Sequence, residues 1–139
     1  MTLFSVRKEC GHRVISILGL KIKLRDKSYN PLEDFCQIEN LNYLERQGTR
    51  FPHPIGIVLH KNTKVGRNCI IYQNVTIGEW NGVVPELGDG VCIYPNSVVV
   101  GNVKIGRNAK IAPCSLVRDN IPENAIAAGN PAKIVGYIK

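Results

Sequence analysis

The chain has 139 residues, a hydrophobic content of 44% and a formal net charge of +7, with a pI of about 9.3. This length predicts one principal domain, and the apolar content is sufficient for a core. A basic balance is compatible with nucleic acid, an anionic surface or an anionic small ligand. The sequence contains no zinc finger, recognition-helix pattern or RNA-binding aromatic motif, which argues against nucleic acid.

The cysteine content predicts a reducing compartment. There are five cysteines, an odd number, and none forms a Cys-x-x-Cys pair. This usage is typical of reduced structural thiols rather than of a disulfide framework. The sequence has no apolar run long enough to cross a bilayer and no signal-peptide pattern. We therefore expect a cytoplasmic protein without a membrane span.

Residues 1–50 are predicted to form a basic N-terminal arm. A break at Gly19, followed by alternating Lys and aliphatic residues over 21–25, predicts a hairpin with a half-buried strand. Near-helical spacing predicts a short helix over 32–47. The apolar residues with this spacing are Leu32, Phe35, Ile38, Leu41 and Leu44.

A period of six residues dominates the rest of the chain. The aliphatic positions in phase are Leu59, Val65, Ile71 and Ile77 and then, after a reset, Leu87, Ile93, Val99, Ile105, Ile111 and Val117. A six-residue period fits neither an amphipathic helix nor an alternating strand. The strands of a β-sandwich usually recur every 8–12 residues. The period instead predicts a solenoid in which three hexads complete one triangular coil.

The remaining hexad positions predict how the coil turns. Gly follows the aliphatic residue at 66, 78, 88 and 106, where we expect it to supply unusual backbone angles. The fifth position is small or β-branched, which suits a crowded corner. An insertion over 78–86 interrupts the repeat and carries Trp80, and we expect this loop to serve function. Residues 121–136 are predicted to cap the last coil.

Three stretches carry a resemblance to a known family. Phe-Pro-His-Pro-Ile-Gly-Ile-Val at 51–58, the hexads at 65–78 and Ala-Gly-Asn-Pro-Ala-Lys-Ile-Val-Gly at 128–136 are similar to motifs of the hexapeptide-repeat acyltransferases. The nearest branch is that of the serine acetyltransferases. The resemblance implies a left-handed parallel β-helix over 51–139, an exception to the usual right-handed crossover.

The resemblance also implies an activity and its residues. It implies an O-acetyltransferase that uses acetyl-CoA, requires no metal and works as a homotrimer with active sites between adjacent prisms. His53 matches the catalytic histidine, which acts as general base on an acceptor hydroxyl, and His60 is a fallback. The residues implied to line the acetyl-CoA groove are Gly78, Asn96, Ser97, Lys110, Ala112 and Pro113.

Departures from the branch bear on the acceptor. Pro52 stands where the branch has an Asp before the catalytic histidine, and a second histidine of the branch corresponds to a position near Val84. Tyr-Pro-Asn at 94–96 stands where the branch usually has Gly-Ala-Gly in its cofactor coil. In the branch a carboxylate earlier in the chain orients the catalytic histidine, and Glu39 and Glu45 are the candidates for that task here. The long helical N-terminal domain of typical serine acetyltransferases is also not recognisable.

These departures favour a sugar of surface polysaccharide or lipopolysaccharide synthesis as the acceptor, because the chain resembles short relatives with that activity. Two alternatives remain open. One is a serine O-acetyltransferase of cysteine biosynthesis, and the other is a non-catalytic β-helix scaffold.

Overall fold

A computed structural model describes residues 4–9, 12–17, 20–25, 37–38 and 41–139. The chain divides into two compact units, Met1–Asp34 and Phe35–Lys139. The predicted boundary between residues 50 and 51 remains a prediction.

The first unit contains a three-stranded antiparallel sheet in the order β1-β2-β3. Its strands are β1 (Phe4–Glu9), β2 (His12–Ile17) and β3 (Leu20–Arg25). Ile17 pairs with Leu20, so β2 and β3 form the hairpin predicted around Gly19, although Gly19 itself lies outside the described residues. The alternating segment is a strand, as predicted.

The second unit begins with strand β4 (Gln37–Ile38) and helix α1 (Leu41–Arg46). The helix buries Leu41 and Leu44, two of the residues that predicted it. The helix predicted over 32–47 is wrong at Ile38, which belongs to β4 and pairs in parallel with Leu59. Its apolar side chain has the right spacing for the helix, but the pairing of β4 with a solenoid strand determines its conformation. Leu32 and Phe35 lie outside the described residues.

The rest of the second unit is a solenoid of short parallel strands. They are β5 (Val58–Leu59), β6 (Lys64–Val65), β7 (Ile70–Ile71), β8 (Thr76–Gly78), β9 (Glu86–Leu87), β10 (Cys92–Ile93), β11 (Val98–Val100), β12 (Lys104–Ile105), β13 (Lys110–Ile111) and β14 (Leu116–Val117). An antiparallel pair, β15 (Ala125–Gly129) and β16 (Ala132–Tyr137), closes the end of the coil where the cap is predicted.

The strands form three faces of a prism. The β10 face has the order β16-β15-β13-β10-β7, the β8 face has the order β14-β11-β8-β5-β4, and the β9 face has the order β12-β9-β6. The predicted fold class, a parallel β-helix of hexapeptide repeats, is confirmed. No described helix is long and apolar enough to cross a membrane.

The core follows the six-residue period. Nine of the ten in-phase aliphatic residues are buried, and Val65 is half-buried. The small residues of the fifth position fill the corners, where Cys69, Val75 and Ala109 are completely buried. Each coil therefore packs its apolar side chains against the coils above and below, as the repeat predicts.

The role predicted for the hexad glycines needs correction. Asn68, Asn96 and Asn108, among other residues, take the positive φ angles of the turns, and Gly66, Gly88 and Gly106 do not. Asn tolerates this left-handed region better than most residues. These three glycines are needed for space instead, because a Cβ at Gly66, for example, would lie 2.5 Å from the carbonyl carbon of Gly88.

Candidate active site

His53 lies on an irregular segment that connects the bridge at Arg50 to strand β5. The backbone turns there, since the Ile55 N–H donates to the His53 carbonyl oxygen at 2.8 Å. Gly56 has a φ of +65°, and a Cβ at this position would collide with Oδ1 of Asn74 on the next coil. This tight turn leaves the His53 side chain exposed on the outside of the prism.

One corner of the prism carries His53 and most of the predicted groove residues. This corner joins the β10 face to the β8 face and consists of residues 51–57, 72–75, 94–97 and 112–115; we call it the His53 corner. Backbone bonds hold its layers together, as the Asn74 N–H donates to Ile55 and the Cys114 N–H donates to Pro95. Successive layers are about 4.8 Å apart.

The structure brings four of the six predicted acetyl-CoA residues to this corner. Asn96 and Pro113 are exposed, Ala112 is half-buried, and Ser97 is buried. The other two residues lie on the adjoining faces. Gly78 ends β8, and Lys110 belongs to β13. Their roles toward a cofactor remain predictions.

The hydroxyl group of Ser97 is committed to the protein interior. The side chain has no exposed surface, and its Oγ–H donates to the Ala112 carbonyl oxygen at 2.9 Å. The Ser115 hydroxyl donates to the same oxygen at 2.7 Å. Both serines thus donate to the same carbonyl oxygen, so the buried hydroxyl of Ser97 is not available to a ligand in this conformation.

A column of aromatic rings extends from His53 along the corner. The ring centroids of His53 and Tyr72 are 6.2 Å apart with an interplanar angle of 44°. Tyr72 stacks in turn on Tyr94, with centroids 5.3 Å apart and an interplanar angle of 11°. This column was missed in the sequence, although the pattern contains a signal for it. Each tyrosine follows a leading aliphatic residue, and those residues, Ile71 and Ile93, pair in register.

Two basic residues lie near the tyrosine column on the β10 face. Burial raises the pKa of the Cys92 thiol, while the Tyr94 hydrogen bond and the charges of Lys110 and Arg50 act in the opposite direction. The pKa of Tyr94 is raised, chiefly by the charge of Cys92 and then by burial. Both groups are therefore neutral near pH 7, and neither offsets the positive charge of Lys110 and Arg50.

The structure bears differently on the two carboxylates predicted to orient His53. Glu39 lies outside the described residues. Glu45 is an exposed residue of α1, and among the described residues the imidazole of His53 makes no ion pair with a carboxylate. Among the described residues, the aromatic ring next to the imidazole of His53 is that of Tyr72.

His60 has a geometry that does not suit a general base. Its Nδ1 accepts the Asn62 N–H at 3.2 Å, and its Nε2 faces the Glu79 carboxylate at 3.6 Å. An imidazole that accepts at Nδ1 and faces a carboxylate at Nε2 has no free lone pair for a substrate proton. His60 also lies at a different corner, where β5 and β8 lead toward the β9 face.

The insertion forms a tight hairpin at the corner that contains His60. The Trp80 N–H donates to the Val83 carbonyl at 2.9 Å, and the central residues Asn81 and Gly82 have φ angles of 53° and 78°. Two positive φ angles are typical of a type I′ turn. Glu79 supports the loop by accepting the Gly82 N–H at 3.2 Å. Trp80 remains 60% exposed, and its predicted functional role stays a prediction.

The described residues include no cluster of three or more His, Cys, Asp and Glu side chains that could hold a metal ion. The groups at the His53 corner are instead an imidazole, two phenols and nearby cations. This set can accept a proton and hold an anionic ligand.

Comparison with known proteins identifies the repeat. Residues 85–119 match the family described as bacterial transferase hexapeptide (six repeats). The chain is 36% identical over 96 residues to a serine acetyltransferase of Haemophilus influenzae, covering 66% of this chain and 36% of the relative. It is 33% identical over 96 residues to serine acetyltransferase 4 of Arabidopsis thaliana, covering 66% and 27% respectively.

Solved structures show the same similarity. A serine acetyltransferase in complex with CoA matches with a TM-score of 0.60 and 36% identity, over 63% of this chain and 37% of that one. A serine acetyltransferase of Neisseria gonorrhoeae in complex with serine matches with a TM-score of 0.60 and 38% identity, over 62% and 36%.

The fold and the matched repeats define a hexapeptide-repeat protein with a parallel β-helix. Its β-helix is of the serine acetyltransferase type, and this confirms the predicted family resemblance. The chain spans about a third of the length of the curated relatives that it matches.

Proposed function

We propose that this chain is an acetyl-CoA-dependent O-acetyltransferase and that its acceptor is the hydroxyl group of L-serine. The observation that carries the proposal is the exposed imidazole of His53 at the same corner as Asn96 and Pro113. The sugar acceptor favoured by the sequence has no support among the relatives reported above, whereas serine fits their printed names.

The proposed reaction is a direct acyl transfer. His53 takes the proton of the acceptor hydroxyl as the oxygen attacks the thioester carbonyl carbon. Backbone N–H groups stabilise the charge that develops on the carbonyl oxygen. The carbon–sulfur bond then breaks, and the imidazolium returns its proton to the CoA thiolate. The products are an O-acetyl ester and free CoA, and no covalent enzyme intermediate forms.

The cofactor is proposed to lie along the His53 corner. The thioester would be next to His53, and the anionic end would reach the layers near Lys110. A serine acetyltransferase of similar fold has been solved with CoA, which supports this class of ligand for the β-helix. The proposal includes the predicted homotrimer, in which the His53 corner of each subunit faces an adjacent prism.

A thiol-release assay tests the proposal. The full chain is incubated with acetyl-CoA and either L-serine, a panel of sugars or no acceptor, and free CoA is measured with a thiol reagent. We expect release that depends on L-serine. Release with a sugar alone would restore the acceptor favoured by the sequence. No release with any acceptor would contradict the proposed acetyltransferase activity and favour the non-catalytic scaffold.

A further inference from the structure

An exposed catalytic imidazole needs something to orient it, because a free side chain samples several rotamers. We propose that the ring of Tyr72, backed by Tyr94, positions the imidazole of His53. The inference rests on the proposed function of His53 as general base. It assigns to an aromatic column a task that the resemblance would give to a carboxylate.

The two tyrosines directly follow two paired strands of the solenoid, β7 and β10. Ile71 pairs with Ile93 in register, and the N–H groups of Tyr72 and Tyr94 donate to carbonyl oxygens of the next coil, each at 3.0 Å. The stacked pair is therefore anchored to two coils of the solenoid, whereas His53 projects from an irregular turn.

The contact with Tyr72 suits a general base. A tilted ring at 6.2 Å restricts rotation of the imidazole and occupies neither of its nitrogens. The nitrogen that takes the proton therefore stays available to the acceptor. His60 provides a contrast within the same chain, because both of its ring nitrogens face protein groups.

Two variants separate the ring contact from other effects. Tyr72→Leu removes the aromatic ring and keeps an apolar side chain, whereas Tyr72→Phe keeps the ring and removes the hydroxyl. We expect Tyr72→Leu to lower kcat by roughly two- to tenfold, with the KM for acetyl-CoA unchanged. Tyr72→Phe should retain the wild-type kcat. Tyr137→Leu is the matched control, since Tyr137 is exposed on β16 and lies outside the His53 corner.

A spectroscopic measurement reports the contact without depending on activity. The chain has three histidines, so NMR of isotope-labelled histidine gives few signals, and His53→Asn assigns the one that matters. We expect the ring-proton resonances of His53 to be displaced by the ring current of Tyr72. The displacement should persist in Tyr72→Phe and disappear in Tyr72→Leu.

The outcomes distinguish this inference from the proposed function. Unchanged kcat and unchanged His53 resonances in Tyr72→Leu would overturn the positioning role. A loss of activity in Tyr72→Phe equal to that in Tyr72→Leu would also overturn it, because the hydroxyl would then be the essential group. If wild-type protein releases no thiol, the proposed function fails and the positioning role in catalysis fails with it, while the resonances alone decide whether Tyr72 orients the ring.

Discussion

The Cys69 thiol donates to the carbonyl oxygen of Gly88 on the next coil, at 3.3 Å. The same sulfur lies 3.4 Å from the Gly66 carbonyl oxygen. Cys69 is completely buried in the narrow corner between these glycines. The thiol therefore serves as a small apolar residue that also donates a weak hydrogen bond.

Burial of this thiol predicts an alkaline loss of stability. Burial, the largest effect, raises the pKa of Cys69 from 9.0 to about 11. The unfolded chain ionises the thiol above pH 9 and the folded chain does not, so the contribution is intact below pH 9 and is lost as the pH rises toward 11. Between pH 8 and pH 10.5, urea unfolding should show about 2 kcal/mol more loss in wild type than in Cys69→Ala. Equal losses in the two proteins would contradict this account.

The hexad glycines should differ in their tolerance of a side chain. A Cβ at Gly66 would lie 2.5 Å from backbone atoms of Gly88 and Asp89, whereas one at Gly78 would meet nothing closer than Val100 Cγ1 at 3.7 Å. Gly66→Ala should therefore reduce the free energy of unfolding by about 1–3 kcal/mol. Gly78→Ala, at the equivalent hexad position, is the control and should not destabilise. Urea unfolding measures both, and similar losses would show that crowding is not the reason for glycine.

Lys110 is expected to contribute charge to the binding of acetyl-CoA. Lys110→Ala should weaken binding by about two- to fivefold at low ionic strength, and the difference should shrink as salt is added. Titration calorimetry measures the effect. Lys104→Ala is the matched control, because Lys104 lies on the β9 face, where its ammonium is 3.8 Å from Glu86. Equal affinity of wild type and Lys110→Ala at every salt concentration would remove Lys110 from the site.

The hairpin of the insertion is expected to depend on Glu79. Its carboxylate joins the Gly82 N–H to His60, so Glu79→Ala should loosen the turn. The chain has one tryptophan, Trp80, and its fluorescence anisotropy should decrease in the variant. Glu123→Ala, whose carboxylate pairs with Arg107 instead, is the control. An unchanged anisotropy in Glu79→Ala would show that the turn is held by its own backbone.

Much of the solenoid could be predicted from the sequence because its core is periodic. Residues such as Ile71 and Ile93 must be aliphatic in every coil, and small residues such as Ala109 must fill the corners, so both leave a repeating pattern. Pairing between coils leaves no such local pattern. Ile38 fits a helical spacing, and only its pairing with Leu59 gives it a strand conformation.

The site was less predictable because its contacts also form between coils and leave no local pattern. The exposed His53 follows from a local motif, whereas its contact with Tyr72 depends on stacking between segments that are distant in sequence. The commitment of the Ser97 hydroxyl to Ala112 likewise depends on the neighbouring coil. Departures from the branch such as Pro52 and Tyr94 favoured a sugar acceptor, which the similar proteins do not support.

The most direct test of the central claim compares His53→Asn with His60→Asn in one thiol-release assay with acetyl-CoA and L-serine. Asn keeps a polar side chain of similar width, so both proteins should fold. A general base contributes about 10²- to 10⁴-fold to the rate, so His53→Asn should lose kcat/KM on that scale while His60→Asn stays near wild type. Wild-type kcat/KM in His53→Asn, with folding verified, would contradict the account.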